Sequence, residues 1–293
     1  TKLYVNLSEP SVAANVAKQD VDGVGLLRAE FMVAQIGVHP KKLIEEKKEK
    51  KFINYLADGL RTFCESFNPR PVVYRATDFK TNEYKNLTGG RLFEPQEENP
   101  MMGYRGAYRY LADSRVFELE LEAIKIVRRD LGLTNLFLMI PFVRTVQELI
   151  LVKKILAKEN LLADKKFKLW MMVEIPSNVI LIEEFIKAGL DGVSIGSNDL
   201  TMLTLGVDRD NSELQTSFDE RDAAVLWSME RVIKAASRAG VSSSICGQAP
   251  SLYPDLVEKL VAWGISSISV TPDAISQTRT YIANAEEELL KKR

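Results

Sequence analysis

Residues 168–197, KLWMMVEIPSNVILIEEFIKAGLDGVSIGS, contain the pattern that decides the fold. A mostly apolar run at Lys168–Ile175 precedes a segment of helical period at Asn178–Ala188, and a second short apolar run follows at Gly192–Ser197. Strands that read as apolar runs instead of alternating are typical of parallel sheets covered on both faces. The stretch therefore predicts a strand–helix–strand unit with a right-handed parallel crossover.

The same alternation recurs along the whole chain. The predicted strands are Leu3–Leu7, Val24–Arg28, Pro71–Thr77, Leu136–Phe142, Lys168–Ile175, Gly192–Ser197, Ser242–Gly247 and Ser267–Val270. The predicted helices are Ser11–Gln19, Lys41–Phe67, Ser114–Leu131, Val146–Glu159, Asn178–Ala188, Asp222–Ala239, Tyr253–Trp263 and Asp273–Leu290. Eight such repeats close a (β/α)8 barrel of the TIM type, so we predict an α/β barrel; an open doubly wound sheet is the alternative.

Composition narrows the class of protein. The 293 residues are 46% hydrophobic and 27% charged, and the net charge is −1, which offers no bulk attraction to nucleic acid or to an anionic membrane. No run reaches the roughly 18 apolar residues that a transmembrane helix needs. Two cysteines without a CxxC motif argue against a disulfide framework or a structural zinc site and favour a cytoplasmic location. The start at Thr1 suggests a piece of a longer protein.

Polar and reactive side chains follow the apolar runs. In a parallel barrel the carboxyl ends of all strands meet at one rim, where active sites are built. The side chains expected at this rim are Arg28, Arg75, Arg105, Arg109, Glu174, Asn198, Asp199 and Cys246, with Arg105 and Arg109 contributed by the long irregular stretch 78–113. We expect them to form one site.

The chemistry of this set indicates an anionic ligand and a metal. Several guanidinium groups on one rim repel each other unless an anion lies among them, and they suit carboxylate and phosphate oxygens. Glu174 and Asp199 follow adjacent strands, and Mg²⁺ typically takes one or two carboxylates, with Mn²⁺ also compatible. Either carboxylate alone could instead cap a helix or pair with an arginine.

Cysteine and histidine have different expected roles. Cys246 lies at a strand end beside arginines, so it could act as a nucleophile or proton donor, whereas Cys64 lies in an amphipathic helix and is expected in the core. His39 is the single histidine and precedes Pro40 at a helix start, which is typical of a turn or capping residue. A histidine-based metal site and a Ser-His-Asp triad are therefore excluded. Neither a GxxxxGK[ST] nor a GxGxxG motif occurs.

Eight segments resemble the C-terminal phosphoenolpyruvate/pyruvate domain of the PEP-utilising enzymes. They are GVGLLRAEF (23–31), YRATDFKTNEY (74–84), ENPMMGYRGAYR (98–109), MIPFVRT (139–145), MMVEIPSN (171–178), GVSIGSNDLT (192–201), FDERD (218–222) and SICGQAPS (244–251). Three branches compete: the phosphoenolpyruvate synthases, the pyruvate phosphate dikinases and the first enzyme of the bacterial sugar phosphotransferase system. The stretches DFKTNEY, SIGSNDLT and ICGQ resemble the synthase branch.

The resemblance implies roles for the residues that bind substrate. Arg28, Arg75 and Arg105 would grip the phosphoryl group and the carboxylate of the substrate. Asn198 would contact the substrate beside the metal, and the neighbouring Ser197 would be part of the same substrate-binding segment. The resemblance also implies a (β/α)8 barrel, in agreement with the strand count.

The resemblance further implies a metal site and a proton carrier. Glu174 and Asp199 would hold Mg²⁺ beside the substrate, and Cys246 would be the general acid and base at C3 of pyruvate. Met202 stands where Gln is usual in the family, and Ala249 stands where Gly is usual. These departures bear on fine substrate positioning and not on the class of reaction.

The implied function is one half-reaction of a larger phosphotransferase. The complete synthase converts ATP, pyruvate and water to AMP, phosphoenolpyruvate and phosphate in gluconeogenesis, using a phosphohistidine on a swivelling domain and an ATP-grasp domain. Residues 1–293 resemble neither, so we expect one PEP/pyruvate domain that binds pyruvate or phosphoenolpyruvate without completing synthesis. The alternatives are a Mg²⁺-dependent 2-keto-acid aldolase or lyase, and an oligomerisation module. Homo-oligomers are expected through this domain, with the helix Tyr281–Leu290 as the candidate contact.

Overall fold

Eight parallel strands close into a barrel. The computed structural model describes residues 1–209 and 211–291; the predicted domain also includes residues 210, 292 and 293, which lie outside that part. The strands are β1 (Lys2–Leu7), β2 (Gly23–Arg28), β3 (Val72–Arg75), β4 (Leu136–Ile140), β5 (Leu169–Val173), β6 (Gly192–Ile195), β7 (Ser242–Ile245) and β8 (Ser267–Val270). Each strand pairs with the next, and β8 pairs with β1. The predicted barrel is confirmed, and the open-sheet alternative is wrong.

Helices connect the strands and cover the barrel. They are α1 (Ala13–Val16), α2 (Glu30–Ile36), α3 (Pro40–Glu45), α4 (Glu49–Phe67), α5 (Thr81–Tyr84), α6 (Gly90–Phe93), α7 (Ala107–Ala112), α8 (Arg115–Lys125), α9 (Val146–Lys158), α10 (Pro176–Ile180), α11 (Ile182–Lys187), α12 (Ser197–Leu205), α13 (Ala223–Arg238), α14 (Ala249–Leu252), α15 (Pro254–Trp263) and α16 (Ile275–Lys291). Short 3₁₀ helices lie at Pro10–Val12, Ser212–Ser217 and Pro272–Ala274, and a π-helical turn at Ile126–Asp130 extends α8. No helix among the described residues is long and apolar enough to cross a membrane.

Local side chains determine where several helices begin and end. The hydroxyl of Thr145 accepts a hydrogen bond from the backbone N–H of Glu148 at the start of α9, and Asp222 caps α13 in the same way. Gly264 adopts φ of 88° at the end of α15, a conformation that favours glycine. These caps satisfy backbone groups that would otherwise lack partners at the helix ends.

The predicted helix Lys41–Phe67 is two helices in the structure. Residue Lys47 has φ of 54°, a left-handed conformation that interrupts the helical path between α3 and α4. The predicted helix Asn178–Ala188 is likewise divided at Leu181 into α10 and α11. The stretch 78–113, predicted as irregular, contains the short helices α5, α6 and α7. Short turns of this kind carry too little periodicity to be predicted from sequence.

The barrel interior has an apolar side and a hydroxyl side. A cluster separate from the main core contains Leu26, Val73, Met139, Trp170, Met172 and Cys246. Ser244 lies two residues before Cys246 on the same face, its register partners are Ser194 and Ser267, and the Ser267 hydroxyl donates to the Ser244 hydroxyl at 2.9 Å. The larger core between strands and helices is apolar, and it fixes the strand ends on which the polar rim is built.

Candidate active site at the carboxyl ends of the strands

A small pocket of about 60 Å³ opens at the carboxyl ends of the strands. Its lining includes seven of the nine predicted site residues, namely Arg28, Arg75, Glu174, Ser197, Asn198, Asp199 and Cys246. The eighth, Arg105, reaches the same group because it donates a hydrogen bond to Asp199. The barrel therefore brings together side chains that are up to 218 positions apart in the chain.

Strand register places the two rim arginines side by side. Arg28 is the last residue of β2, Arg75 is the last residue of β3, and the two are direct register partners. Arg75 is largely buried, and its Nη2 donates to Oε1 of Glu30 at 3.0 Å. Arg28 is exposed at the pocket mouth, and no salt bridge to it occurs among residues 1–209 and 211–291. An anion entering the pocket would meet this positive charge first.

Three carboxylates converge beside the arginines. One oxygen each from Asp78, Glu174 and Asp199 lies within 4.8 Å of the others. Glu174 follows β5, and Asp199 lies in the first turn of α12, directly after β6. Burial, together with the negative charges of Asp199 and Asp78, raises the pKa of Glu174 to about 8. Carboxylates crowded in this way are stabilised by a cation placed among them.

Asp78, three residues after Arg75, was not among the predicted site residues. Its carboxylate accepts two hydrogen bonds from Arg105, from Nε to Oδ1 at 3.0 Å and from Nη2 to Oδ2 at 2.5 Å. Burial alone would raise the pKa of Asp78, but the Arg105 and Arg75 guanidinium groups outweigh it and the pKa is lowered. The backbone N–H of Asp78 donates to Oε1 of Glu30 at 2.7 Å, the same oxygen that accepts a hydrogen bond from Nη2 of Arg75. The feature of the sequence that could have predicted this role is the position of Asp78 just beyond the end of a strand.

The donor set fits a hard divalent cation. Oε1 of Glu174 accepts a hydrogen bond from the backbone N–H of Phe142 at 2.6 Å, and Oδ2 of Asp199 accepts one from Arg105 at 3.0 Å. Oε2 of Glu174 and Oδ1 of Asp199 have no such partner within the described part of the chain. Both oxygens of Asp78 are engaged by Arg105. Two carboxylate oxygens plus water or substrate oxygens suit Mg²⁺, so the residues present fit that ion.

Cys246 directly follows β7 and is buried. Its backbone N–H donates to the Ile195 carbonyl at 3.1 Å, and its Sγ lies 3.6 Å from the same oxygen. Burial raises the pKa of the Cys246 thiol, although Ser194, Arg28 and Arg75 oppose the effect. The thiol therefore keeps its proton at neutral pH. Cys64 is fully buried in α4, where burial raises its pKa to about 12, and it is in the core as predicted.

Ser197 connects the pocket to a carboxylate that the sequence analysis did not select. Its hydroxyl donates a short hydrogen bond to Oε1 of Glu220, and burial raises the pKa of Glu220. A Cβ atom at Gly247 would lie 1.7 Å from the Ser197 hydroxyl oxygen, so a side chain at 247 would displace this contact. Arg209 acts electrostatically on both Arg28 and Glu220 and so lies near the same rim. The long segment before α13 carries no strand signal that could have placed Glu220 or Arg209.

Arg109 was expected at the rim, and this prediction is wrong. Both terminal nitrogens of Arg109 donate to Glu94, each at 2.7 Å, and one of them also donates to the Tyr104 carbonyl at 2.8 Å. Nε2 of His39 lies 2.9 Å from the same Glu94 carboxylate, while its Nδ1 accepts from the Lys41 N–H at 3.1 Å. The buried Glu94 carboxylate needs a cationic partner, and this ion pair holds Arg109 within the stretch 78–113 and away from the pocket. The capping role predicted for His39 is confirmed.

Residues 1–287 match the family described as PEP-utilising enzyme, PEP-binding domain. The chain belongs to this family. Its relatives include the probable phosphoenolpyruvate synthase of Staphylothermus marinus, 49% identical over 298 residues, and the phosphoenolpyruvate synthase of Aeropyrum pernix, 48% identical over 299 residues. Each alignment covers 100% of this chain and 36% of the relative, so the chain spans about a third of the length of these proteins. The phosphoenolpyruvate synthase of Escherichia coli is 42% identical over 309 residues, covering 98% of this chain and 39% of the relative.

Solved structures share the barrel at low sequence identity. Protein CitE from Mycobacterium tuberculosis, in complex with magnesium and acetoacetate, has a TM-score of 0.56 with 14% identity, covering 99% of this chain and 97% of that one. The citrate lyase beta subunit from the same organism, in complex with oxaloacetate and magnesium, has a TM-score of 0.52 with 14% identity, covering 95% of both chains. These similarities establish that the PEP-binding domain described here shares its fold with lyase-type barrels.

Proposed function

We propose that this PEP-binding domain carries the pyruvate/phosphoenolpyruvate half-reaction of a phosphoenolpyruvate synthase. In this reaction a phosphoryl group passes between an enzyme phosphohistidine and the enolate oxygen of pyruvate. The observation that supports the proposal most strongly is the single pocket lined by Arg28, Arg75, Glu174, Asp199 and Cys246. It combines anion binding, a site for a cation and a proton carrier within one small volume.

The proposed metal ligands are Glu174 and Asp199, with Mg²⁺ as the ion and Mn²⁺ as a substitute. Each residue has one carboxylate oxygen that makes no hydrogen bond within the described residues. Such an ion would withdraw charge from the keto or enolate oxygen of the substrate. Asp78 keeps its role as the partner of Arg105, since both of its oxygens are already engaged.

The proposed substrate contacts are positively charged or lie at a helix start. Arg28 and Arg75 bind the carboxylate and phosphoryl oxygens, and Arg105 supports them from its place between Asp78 and Asp199. Ser197 and Asn198 open α12, where the first backbone N–H groups lack helical acceptors and favour anionic oxygen. The hydroxyl of Ser197 already donates to Glu220, so its contribution would come from the backbone.

Cys246 is the proposed proton carrier. In the direction of phosphoenolpyruvate breakdown, the oxygen–phosphorus bond breaks as the histidine nitrogen takes the phosphoryl group. The electron pair left on oxygen re-forms the keto group, and C3 takes a proton from the Cys246 thiol. The reverse direction starts with removal of a C3 proton by the thiolate. The raised thiol pKa supports a protonated resting state, ready to donate.

The proposal extends to partners outside this chain. The phosphoryl donor would be the phosphohistidine domain of a longer, ATP-dependent and cytoplasmic enzyme, in which this chain is the C-terminal domain. Homo-oligomers are proposed through α16, whose residue Leu290 is largely exposed. The chain without its partner domains is expected to bind pyruvate and phosphoenolpyruvate and not to complete synthesis from ATP.

Isotope exchange tests the proposed half-reaction on this chain alone. With Mg²⁺ and pyruvate in deuterated water, we expect loss of the pyruvate methyl proton signal by NMR, because proton removal at C3 does not require the phosphoryl donor. The same sample with oxaloacetate is expected to show no carbon–carbon cleavage. Cleavage without methyl exchange would contradict the proposal and favour a lyase.

A further inference from the structure

The hydrogen-bond ladder between β7 and β8 stops one residue before Cys246. The paired residues are Ser244 with Ser267 and Ile245 with Ile268. On the β6 side the Cys246 N–H still reaches the Ile195 carbonyl at 3.1 Å. The carbonyl of Cys246 accepts no backbone hydrogen bond within residues 1–209 and 211–291. A carbonyl at this buried position needs another partner, because an unpaired buried acceptor destabilises the fold.

The side chain of Asn6, from β1, supplies that partner. Its Nδ2 donates to the Cys246 carbonyl at 3.1 Å and to the Ser269 carbonyl at 3.3 Å. One amide therefore joins the ends of β7 and β8, which the ladder no longer holds together. Asn6 also borders an open cavity of about 280 Å³ at the ends of β1 and β8.

The orientation of the Asn6 amide is fixed by a third hydrogen bond. Its Oδ1 accepts from the Ser269 hydroxyl at 2.6 Å, which directs the NH2 group towards the two carbonyls. Gly25 on β2 leaves room for this arrangement, because a Cβ there would lie 2.5 Å from the Ser269 hydroxyl oxygen. The two N–H groups and one of the two acceptor lone pairs of the Asn6 amide are therefore used in hydrogen bonds to β8 and to the end of β7.

We propose that Asn6 is a positioning residue for Cys246. By holding the Cys246 carbonyl, it fixes the backbone from which the thiol extends into the pocket. The inference rests on the proposed function, in which that thiol moves the C3 proton. Proton transfer requires the donor at hydrogen-bond distance, and a displacement of about 1 Å can reduce a rate on the order of 100-fold. Asn6 contacts neither the arginines nor the carboxylates through its hydrogen bonds, so ligand affinity should not depend on it.

The test uses the full chain carrying Cys64→Ser, so that Cys246 is the single thiol. Asn6→Ala removes the amide, and Asn6→Asp keeps its size but loses both donors and places negative charge against two carbonyl oxygens. Ser267→Ala is the matched control, because it removes a hydroxyl that joins the same two strands through Ser244, away from Cys246. Measurements are pyruvate methyl exchange, Mg²⁺ and pyruvate affinity, and the rate of Cys246 alkylation by iodoacetamide.

Both Asn6 variants should exchange the methyl protons about 10- to 100-fold more slowly, with ligand affinities within about twofold of the parent. Alkylation of Cys246 should change by about threefold or more, since the strand end is no longer held. The Ser267→Ala control should match the parent in every measurement. Exchange and alkylation at parental rates in both Asn6 variants would overturn the proposal.

The proposal can still be tested if the Asn6 variants do not fold or if the parent does not exchange the methyl protons. If neither Asn6 variant folds, Ser269→Ala removes only the hydroxyl that orients the amide, and exchange at the parental rate in that variant would overturn the proposal. If the parent itself does not exchange the methyl protons, the proposed function fails. In that case the alkylation rates still decide whether Asn6 controls the Cys246 thiol, and rates equal to the parent's would refute it.

Discussion

Arg105 joins two carboxylates that come from different parts of the barrel rim. Its Nη2 lies 2.5 Å from Oδ2 of Asp78, which follows β3, and 3.0 Å from Oδ2 of Asp199, which follows β6. Its guanidinium group also stacks on the Phe142 ring, at 3.9 Å from the ring centroid. One arginine from the loop before α7 thus fixes the distance between opposite sides of the pocket.

The Asp78–Arg105 pair leads to a first prediction. Asp78→Asn keeps the shape of the side chain but removes the charge that orients Arg105 and Arg75. Phosphoenolpyruvate affinity should fall by about 1.5–3 kcal/mol, the range for a charge-assisted hydrogen bond. Titration calorimetry gives the value. Asp113→Asn, which affects the remote pairs with Lys41 and Arg115, is the control and should bind normally.

Metal binding should depend on Glu174 and Asp199. Replacing either with Ala should abolish measurable Mg²⁺ binding by calorimetry and leave the circular dichroism spectrum unchanged, because both lie at the rim and not in the core. Glu183→Ala, on the outer helix α11, should bind Mg²⁺ as the parent does. Undiminished Mg²⁺ affinity in both rim variants would show that the ligands are elsewhere.

The same site should respond to pH. Metal binding requires the deprotonated carboxylate, and the pKa of Glu174 is raised to about 8 by burial and neighbouring carboxylates. A proton therefore competes with the ion below this pH, and Mg²⁺ affinity should increase as pH rises from about 6 to 8. Calorimetry across this range provides the measurement. A flat profile would mean that Glu174 is already ionised at pH 6.

Ligand affinity should depend on the shape of Arg75 as well as on its charge. Arg75→Lys replaces a planar fork with a single ammonium group, so the pair with Glu30 and a bidentate anion contact cannot both be kept. Phosphoenolpyruvate binding should weaken by about 1.5–3 kcal/mol. Arg61→Lys, on the surface of α4, is the matched control. Equal affinity in the parent and Arg75→Lys would remove Arg75 from the ligand contacts.

Cys246→Ser should separate binding from proton transfer. Serine has nearly the same size, but its hydroxyl cannot cycle between proton donor and acceptor near neutral pH. The variant should bind Mg²⁺ and pyruvate while losing exchange of the methyl protons with deuterated water. Cys64→Ser, in the core, should exchange normally. Parental exchange in Cys246→Ser would assign the proton transfer to another group.

Stability should depend on pH through a buried carboxyl behind the site. Glu120 accepts hydrogen bonds from the Tyr74 hydroxyl at 2.7 Å and the Thr77 N–H at 3.0 Å, and burial raises its pKa to about 7. Between about pH 4.5 and 7 the folded state binds the proton that the unfolded state releases, so the free energy of unfolding falls as pH rises. Glu120→Gln removes this dependence. The free energy of unfolding, measured with urea, should decrease less from pH 5 to pH 8 in the variant than in the parent, by up to about 3 kcal/mol.

Residues directly at strand ends could be predicted from sequence. Arg28, Arg75 and Glu174 terminate or follow apolar runs, and in a closed parallel barrel the carboxyl end of every strand lies at one rim. Asp199 and Cys246 follow their strands by only a few residues, so the chain has little freedom to carry them elsewhere. The candidate pocket was predictable to this extent because its location follows from the topology.

Residues on long connections were decided only by the folded structure. Asp78 and Arg109 both lie in the stretch 78–113, yet Asp78 enters the pocket while Arg109 turns away to the buried Glu94. Asn6 meets Cys246 across 240 positions, through a gap in the strand ladder that no local pattern reveals. The sequence by itself determined the barrel and its polar rim, because strand and helix periodicity is local. The tertiary structure alone decided which charges pair, because each buried charge selects its partner by distance.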